Sequence, residues 1–310
     1  MRRHPASANA TLVLLALALL PAKPLFGQIV DSTAPLVLTV PLSARSAGLN
    51  GAGAALVGHA GALFTNPAGI ATVRHIGLEG SYRKVAREAY LTSAALAWRI
   101  SQFDIGLGVA YFDLGDDPLR FPVSGVPATS HTRDLAGIGA LVYRYGIIAV
   151  GGTAKYASRT VDTDKDRALS FDGGAAIAIF DIMAIGFSMQ NIGGNWREES
   201  SLTMPRLTRF GFTMNYVDPQ ESYRLMSVLE LQWPEDRDSR ILLGVEGGLV
   251  IKGLGVIGRG AYGSRASSSR LPRFTYGLSV AISRLSVDYA FRNADQLEDT
   301  VHLVGLRLTL

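Results

Sequence analysis

From about residue 76 to the last position, the apolar side chains of this sequence fall on every second residue. Phe103, Ile105, Leu107, Val109 and Tyr111 alternate with Asp104, Gly106, Gly108 and Ala110. Phe210, Phe212, Met214 and Tyr216 alternate with Arg209, Gly211, Thr213 and Asn215, and Leu285, Val287, Tyr289 and Phe291 with Ser286, Asp288, Ala290 and Arg292. A strand turns successive side chains to opposite faces, so one face of each segment is greasy and the other small or polar. No sustained stretch after residue 75 favours a helical period. The chain is 48% hydrophobic and only 18% charged. Yet after residue 28 it has no run of about 18 uncharged apolar residues, which is what a spanning helix needs. Disorder is excluded by the apolar content. Disulfide scaffolds and thiolate metal sites are excluded by the absence of Cys.

The pattern divides into fourteen strands: 76–82, 88–99, 102–113, 132–144, 147–158, 168–180, 182–191, 206–217, 222–232, 240–250, 254–263, 273–283, 285–292 and 300–310. Connections after the even strands are short, for example Ser101, Tyr145-Gly146 and Arg284. Connections after the odd strands are mostly longer, for example Leu114–His131, Ile192–Pro205 and Ser264–Pro272. An even number of strands of about ten residues, tight turns on one side and long loops on the other, predicts a transmembrane antiparallel β-barrel. Closure is required because an open sheet edge in lipid leaves backbone groups unpaired. A secreted β-sandwich or propeller is the competing all-β architecture. A sandwich would carry a Lys-, Glu- and Thr-rich outer face, whereas here the non-greasy face is mainly Gly, Ala and Ser, and no blade repeat appears. Outward Tyr90, Trp98, Tyr111, Tyr216, Trp233, Tyr262 and Tyr276 fall near strand ends, as interfacial girdles do.

The first 27 residues read as a secretory signal peptide. Arg2 and Arg3 precede the apolar run Thr11–Leu20, and a cut falls between Ala22 and Gln28; a single anchor helix is the alternative. Their removal takes three basic residues from 30 and no acid, leaving 27 basic against 26 acidic residues. A net charge near zero gives no support for a nucleic-acid partner. Residues 28–42 are expected as a periplasmic segment, 43–75 as a hatch or plug, and 76–310 as the barrel. Residues 43–71 lack strand alternation and are crowded with Gly and Ala, which allow backbone to pack on backbone. A flexible linker would not need Leu56, Val57, Leu63, Phe64 and Ile70. Asn66-Pro67 favours an extended residue followed by a turn or a short helix.

Ala44-Arg-Ser-Ala-Gly-Leu-Asn-Gly-Ala-Gly-Ala-Ala55 and Ala62-Leu-Phe-Thr-Asn-Pro-Ala-Gly-Ile70 resemble the N-terminal signature of the PorV/PorQ group of outer-membrane proteins. That group is similar in fold to the long-chain fatty-acid transporter FadL. Gly186-Phe-Ser-Met-Gln-Asn-Ile-Gly193, Met204-Pro-Arg-Leu-Thr-Arg-Phe-Gly211 and Ser286-Val-Asp-Tyr-Ala-Phe291 continue the likeness in order. The resemblance implies a 14-strand wall and places Asn66, Pro67, Ala68 and Gly69 in a hatch inside the barrel. It implies the outer membrane of a Gram-negative-type bacterium, reached by Sec-type export. It also implies outer-membrane lipid, lipopolysaccharide and the barrel-assembly machinery as partners. Such barrels commonly end in an aromatic residue, whereas this chain ends in Leu310.

Little in the sequence points to catalysis. His59, His75, His131 and His302 stand far from one another in sequence, so no His pair at i, i+4 spells a zinc motif. Gly253-Leu-Gly-Val-Ile-Gly258 spells a dinucleotide fingerprint, but the residues after it continue a strand and open no helix. Neither a cofactor, a metal nor a catalytic residue is assigned. Parity turns Asp104, Lys155, Asp172, Gln190, Arg209, Glu230, Glu246, Arg259, Asp288, Arg292 and Arg307 into the lumen. They are expected to form a hydrated, ion-paired interior that anchors the plug, or a gate. The PorV likeness implies a non-enzymatic partner in protein export, handing secreted cargo among secretion components. The FadL likeness implies passive passage of a hydrophobic ligand, a fatty acid or hydrocarbon, past the hatch and out by the wall. Short polar loops such as Asp162–Arg167 favour the first.

Overall fold

A computed structural model describes residues 34–84, 89–118, 129–179, 182–195, 202, 204–216, 223–251, 253–264, 273–292 and 301–310. The expected signal peptide, 1–27, lies outside the described residues. Fourteen strands follow one another: β1 (Ile76–Lys84), β2 (Tyr90–Ile100), β3 (Phe103–Pro118), β4 (Thr129–Tyr145), β5 (Ile148–Val161), β6 (Asp164–Ile179), β7 (Met183–Asn195), β8 (Leu207–Tyr216), β9 (Tyr223–Pro234), β10 (Arg240–Ile251), β11 (Leu254–Gly263), β12 (Phe274–Ile282), β13 (Leu285–Arg292) and β14 (Val301–Thr309). Each pairs antiparallel with its sequence neighbours, and β1 pairs with β14 from Gly77↔Thr309 to Lys84↔His302. The sheet is therefore a closed barrel, and every expected strand is present.

Alternation sets the two faces. Along β1, Gly77, Glu79, Ser81 and Arg83 are buried inside while Leu78 and Tyr82 face out. Along β10, Leu242, Gly244 and Glu246 are inside, while Ile241, Leu243, Val245, Leu249 and Ile251 are exposed. The ten residue-to-residue steps from Ile241 to Ile251 rise about 34 Å along the strand. At the tilt usual in such barrels this is roughly 25 Å along the barrel axis, the height of a bilayer's apolar band. Cross-strand aromatic contacts mark both ends of the band, with ring centroids 5.3 Å apart for Phe103–Tyr143 and 5.4 Å for Tyr262–Phe274.

Ser101-Gln102, Gly146-Ile147 and Ser283-Arg284 close two-residue hairpins at one end, opened by residues at φ 56°, 59° and 55°. The opposite end carries the longer connections. There one expected polar loop is mostly strand: β5 and β6 are joined by Asp162-Thr163 alone, and residues 164–167 pair with 158–161. Main-chain pairing continues past the apolar band because polar side chains tolerate it in water.

Residues 34–73 lie inside the barrel. Here the sequence reading needs a correction, because the described part of the segment expected to be periplasmic, 34–42, is packed within the lumen at the long-connection end. Leu36 N–H donates to Asp134 Oδ2 at 2.6 Å, and Arg159 and Arg83 donate to the carbonyls of Ala34 (2.9 Å) and Pro41 (2.7 Å). Val37 and Leu42 join the same buried apolar cluster as Leu63 and Ile70. From there the chain descends through a short helix, Ala44–Gly48, beside β11–β14, and crosses to β7–β9. It then forms 3-10 turns at Ala60–Phe64 and Pro67–Thr72 before entering β1 at the short-turn end.

Candidate functional site

The hatch fits because the facing wall is made of small residues. Side chains on Gly186 and Gly174 would run into the Ala54 carbonyl and the Asn66 side chain. A Cβ on Gly106 would lie 2.9 Å from Leu63 and 3.0 Å from Ile70. This is the physical reason for the glycine-rich inner face. With so little side-chain volume at the contact, polar groups supply the directional bonds.

Asn66 and Pro67 form a cap. Asn66 Oδ1 accepts from Ala68 N–H at 3.1 Å and Pro67 starts the turn, where its missing N–H costs nothing. Asn66 Nδ2 donates to Ala54 O at 2.7 Å and to Ala175 O of β6 at 3.1 Å, so one amide joins two hatch segments to the wall. Asn66, Ala68 and Gly69 are buried with Pro67 in this contact.

Two carboxylates of the wall clamp the hatch more strongly. Glu230 Oε2 accepts the backbone N–H groups of Gly53 (2.6 Å) and Ala54 (2.7 Å), while Oε1 takes Arg209 (2.9 Å) and Gln232 (2.7 Å). Arg209 also donates to Gly51 O and to Gln190 Oε1, and Gln190 donates to Phe64 O. Glu246 receives a bidentate fork from Arg45 of the hatch at 2.9 and 2.8 Å, with Arg259 at 3.2 Å on its other side. Arg259 continues to Asp288 at 3.2 Å and to Ser279, and Arg307 closes on Asp288 at 3.5 Å. Charge-assisted, bidentate bonds of this kind are the strong ones.

The remaining lumenal residues sit elsewhere on the inner wall. Lys155 pairs with Asp172 at 2.6 Å where the β6–β7 register shifts, and Asp172 accepts the backbone N–H of Asn191 at 2.8 Å. This restores a ladder bond that the bulge removes. Asp104 pairs with Arg144 at 2.6 Å at the short-turn end. Arg292 lies at the long-connection end, apart from these networks. Sequence parity missed the wall residues Glu79, Arg83, Asp134 and Arg159, although alternation within β1, β4 and β5 assigns them to the inner face. Arg45 carries no such signal, because it belongs to a segment without period. Gly253–Gly258 runs from a turn into β11 and opens no helix.

Two cavities lie at opposite ends of the hatch. One, of about 50 Å³ at the long-connection end, is lined by Val37, Leu42, Phe64, Ile138 and Leu207 with Lys155, Gln190 and Arg209. The other, of about 200 Å³ at the short-turn end, is lined by Val57, Ala68, Ala71 and Ala176 with Arg99 and Arg144. The first is too small for an aromatic ring, since an apolar cavity that takes benzene measures about 150 Å³.

No known family and no curated protein sequence matches the chain. Among solved structures it is similar to the Pseudomonas putida toluene transporter TodX, with a TM-score of 0.61 at 8% identity over 89% of this chain and 98% of that one. It is also similar to a TodX deltaS2S3 mutant, a monoaromatic hydrocarbon channel (0.59, 10%, 86% and 97%). A Pseudomonas aeruginosa FadL homologue gives 0.53 at 14% identity over 86% and 98%. At these identities the likeness is one of fold: the chain shares the closed, antiparallel barrel of these proteins across nearly its whole described length.

Proposed function

We propose that this protein is a non-enzymatic outer-membrane barrel of the FadL type, through which a hydrophobic small molecule passes by displacement of the hatch. The carrying observation is the pair of cavities at opposite ends of one hatch, the outer one mixing apolar side chains with Lys155, Gln190 and Arg209. At about 50 Å³ this outer cavity takes no such molecule while the hatch is in place, so passage requires the hatch to move, and the cavity's place inside the lumen suits transit. The structural likeness to transport barrels weighs the same way. The export-partner reading shares the fold and rests on the PorV/PorQ-like motifs, so transport is now the better supported of the two. The exposed apolar band supports a membrane site, and the N-terminal residues support Sec-type export.

A disulfide lock tests the proposal, and the native chain has no Cys to interfere. A Cβ on Gly211 of β8 would stand 3.2 Å from Ala55 Cβ of the hatch, a few tenths of an ångström short of the range of about 3.5–4.5 Å that disulfides span, so a small relaxation of the hatch lets the bond form. In vesicles, the wild-type chain should speed entry of toluene or a long-chain carboxylate. The oxidised Ala55→Cys/Gly211→Cys variant should abolish that entry and a reductant should restore it. Entry no faster than in protein-free vesicles, or entry unchanged by the lock, would overturn the reading.

A further inference from the structure

We propose that Arg83 and Arg292 form an oxyanion-binding site on the inner wall at the long-connection end, separate from the hatch clamps. Arg83 is 4% exposed. Its Nη2 donates to Pro41 O at 2.7 Å, and its Nε is buried without a partner. Arg292 is half-buried and makes no hydrogen bond or ion pair among the described residues. Of the other deeply buried lumenal arginines, Arg45 and Arg259 each face a carboxylate, and Arg240 is held by Asn50 Oδ1 and Ser264 O. A buried guanidinium without one is a cation removed from water and left uncompensated.

The barrel register brings the two together. Arg83 stands opposite Leu303 and Arg292 opposite Val301, so they flank β14 from β1 and β13. Strands two apart are roughly 10 Å apart, and the two-residue offset along β14 brings the separation of the two Cα atoms to about 12 Å, a gap that two extended arginine side chains can close over one small anion. Their other cross-strand partners are Leu91 and Thr275, which bring no charge. The acids deeper on the same two strands are already engaged: Glu79 takes Gly61 N–H, and Asp288 takes Arg259 and Arg307. Among the described residues, the site thus has two guanidinium forks, an apolar floor of Leu303 and Val301, and no anion. Arginine forks match the paired oxygens of phosphate or carboxylate. The ligand class is therefore a small oxyanion, either free or as the headgroup of an amphiphile. The inference does not depend on the transport reading.

The test uses the intact chain refolded in detergent, titrated with inorganic phosphate, with sodium octanoate and with chloride at constant ionic strength. An anion that binds only the folded barrel raises its unfolding midpoint in a saturable way. At least one oxyanion should do so and chloride should not. Saturation by phosphate identifies a free anion as sufficient; saturation by octanoate alone assigns the site to carboxylate headgroups. Arg292→Gln should weaken the response about tenfold, the loss of one charged hydrogen-bonding partner. Arg292→Lys should retain part of it. Arg83→Gln should act likewise, and because Arg292 has no partner to lose among the described residues, its variant tests the site even where Arg83→Gln fails to fold. A response equal for chloride and both oxyanions, or one that Arg292→Gln leaves unchanged, would overturn the proposal.

Discussion

Replacing Glu246 by Gln should release the hatch while leaving the barrel closed. Glu246 is 1% exposed and holds Arg45 of the hatch by two bonds of 2.9 and 2.8 Å, Arg259 at 3.2 Å and Arg224 at 4.0 Å. Gln keeps the volume and one acceptor but loses the charge. It leaves Arg45 and Arg259, with side chains 8% and 1% exposed, without their common anion. Removing one partner of a buried ion pair costs about 3–5 kcal/mol. The strand ladders do not run through this carboxylate, so the loss falls mainly on the hatch, whose departure would return Arg45 to water. A change of that size raises the open population more than about a hundredfold. The assay places a single thiol at buried Ala52 (Ala52→Cys) and follows its labelling in vesicles by a water-soluble reagent. Glu246→Gln should accelerate labelling by about that factor with an unchanged far-ultraviolet strand spectrum. Arg45→Met should accelerate it less than Glu246→Gln, because Glu246 keeps Arg259. Labelling within about threefold of the Ala52→Cys parent would refute the view that this clamp holds the hatch.

Three further outcomes follow from the same contacts. Asn66→Ala strands the Ala54 and Ala175 carbonyls and the Ala68 N–H; the loss should be about 2–4 kcal/mol by denaturant midpoint, and a change under about 0.5 kcal/mol would dismiss the cap. Gly186→Val pushes a side chain into the Ala54 carbonyl, whereas a Cβ on Gly137 meets nothing within 4 Å. The first should cost about 1–3 kcal/mol and Gly137→Val close to nothing, so equal effects on the unfolding midpoint would count against the close-fit account. The imidazole of His59 in the hatch is held well below its ordinary pKa by burial, with Arg45 and Arg307 adding repulsion. It is neutral in both folded and unfolded chains above pH of about 6.5, so no penalty exists there. As pH falls below that value only the unfolded chain takes up the proton, and stability should fall. His59→Gln should flatten the drop in unfolding midpoint between pH 7 and pH 5, and an unaltered slope would remove His59 as its source.

The wall was legible from the sequence because a strand in lipid obeys a strict local rule, and period two needs no knowledge of distant residues. Parity alone set Glu230, Glu246 and Asp288 inside. The hatch was only half legible. Its Gly- and Ala-rich part, from residue 43, differs from any strand or linker, but Leu36, Val37, Leu38 and Val40 form an ordinary apolar run, and nothing local says that it turns into the lumen. What places them there is Asp134, 98 residues from Leu36. The clamp is further from view still, since Arg45 and Glu246 are 201 residues apart and Arg45 sits in a segment with no period. The difference reflects how the two parts are held. The wall is fixed by a continuous ladder that any alternating sequence can join. The hatch depends on the absence of side chains at glycines such as Gly174 and Gly186 and on a few charged forks. Its position therefore rests on pairings between distant residues, and those same few pairings are where a single substitution can free it without opening the wall.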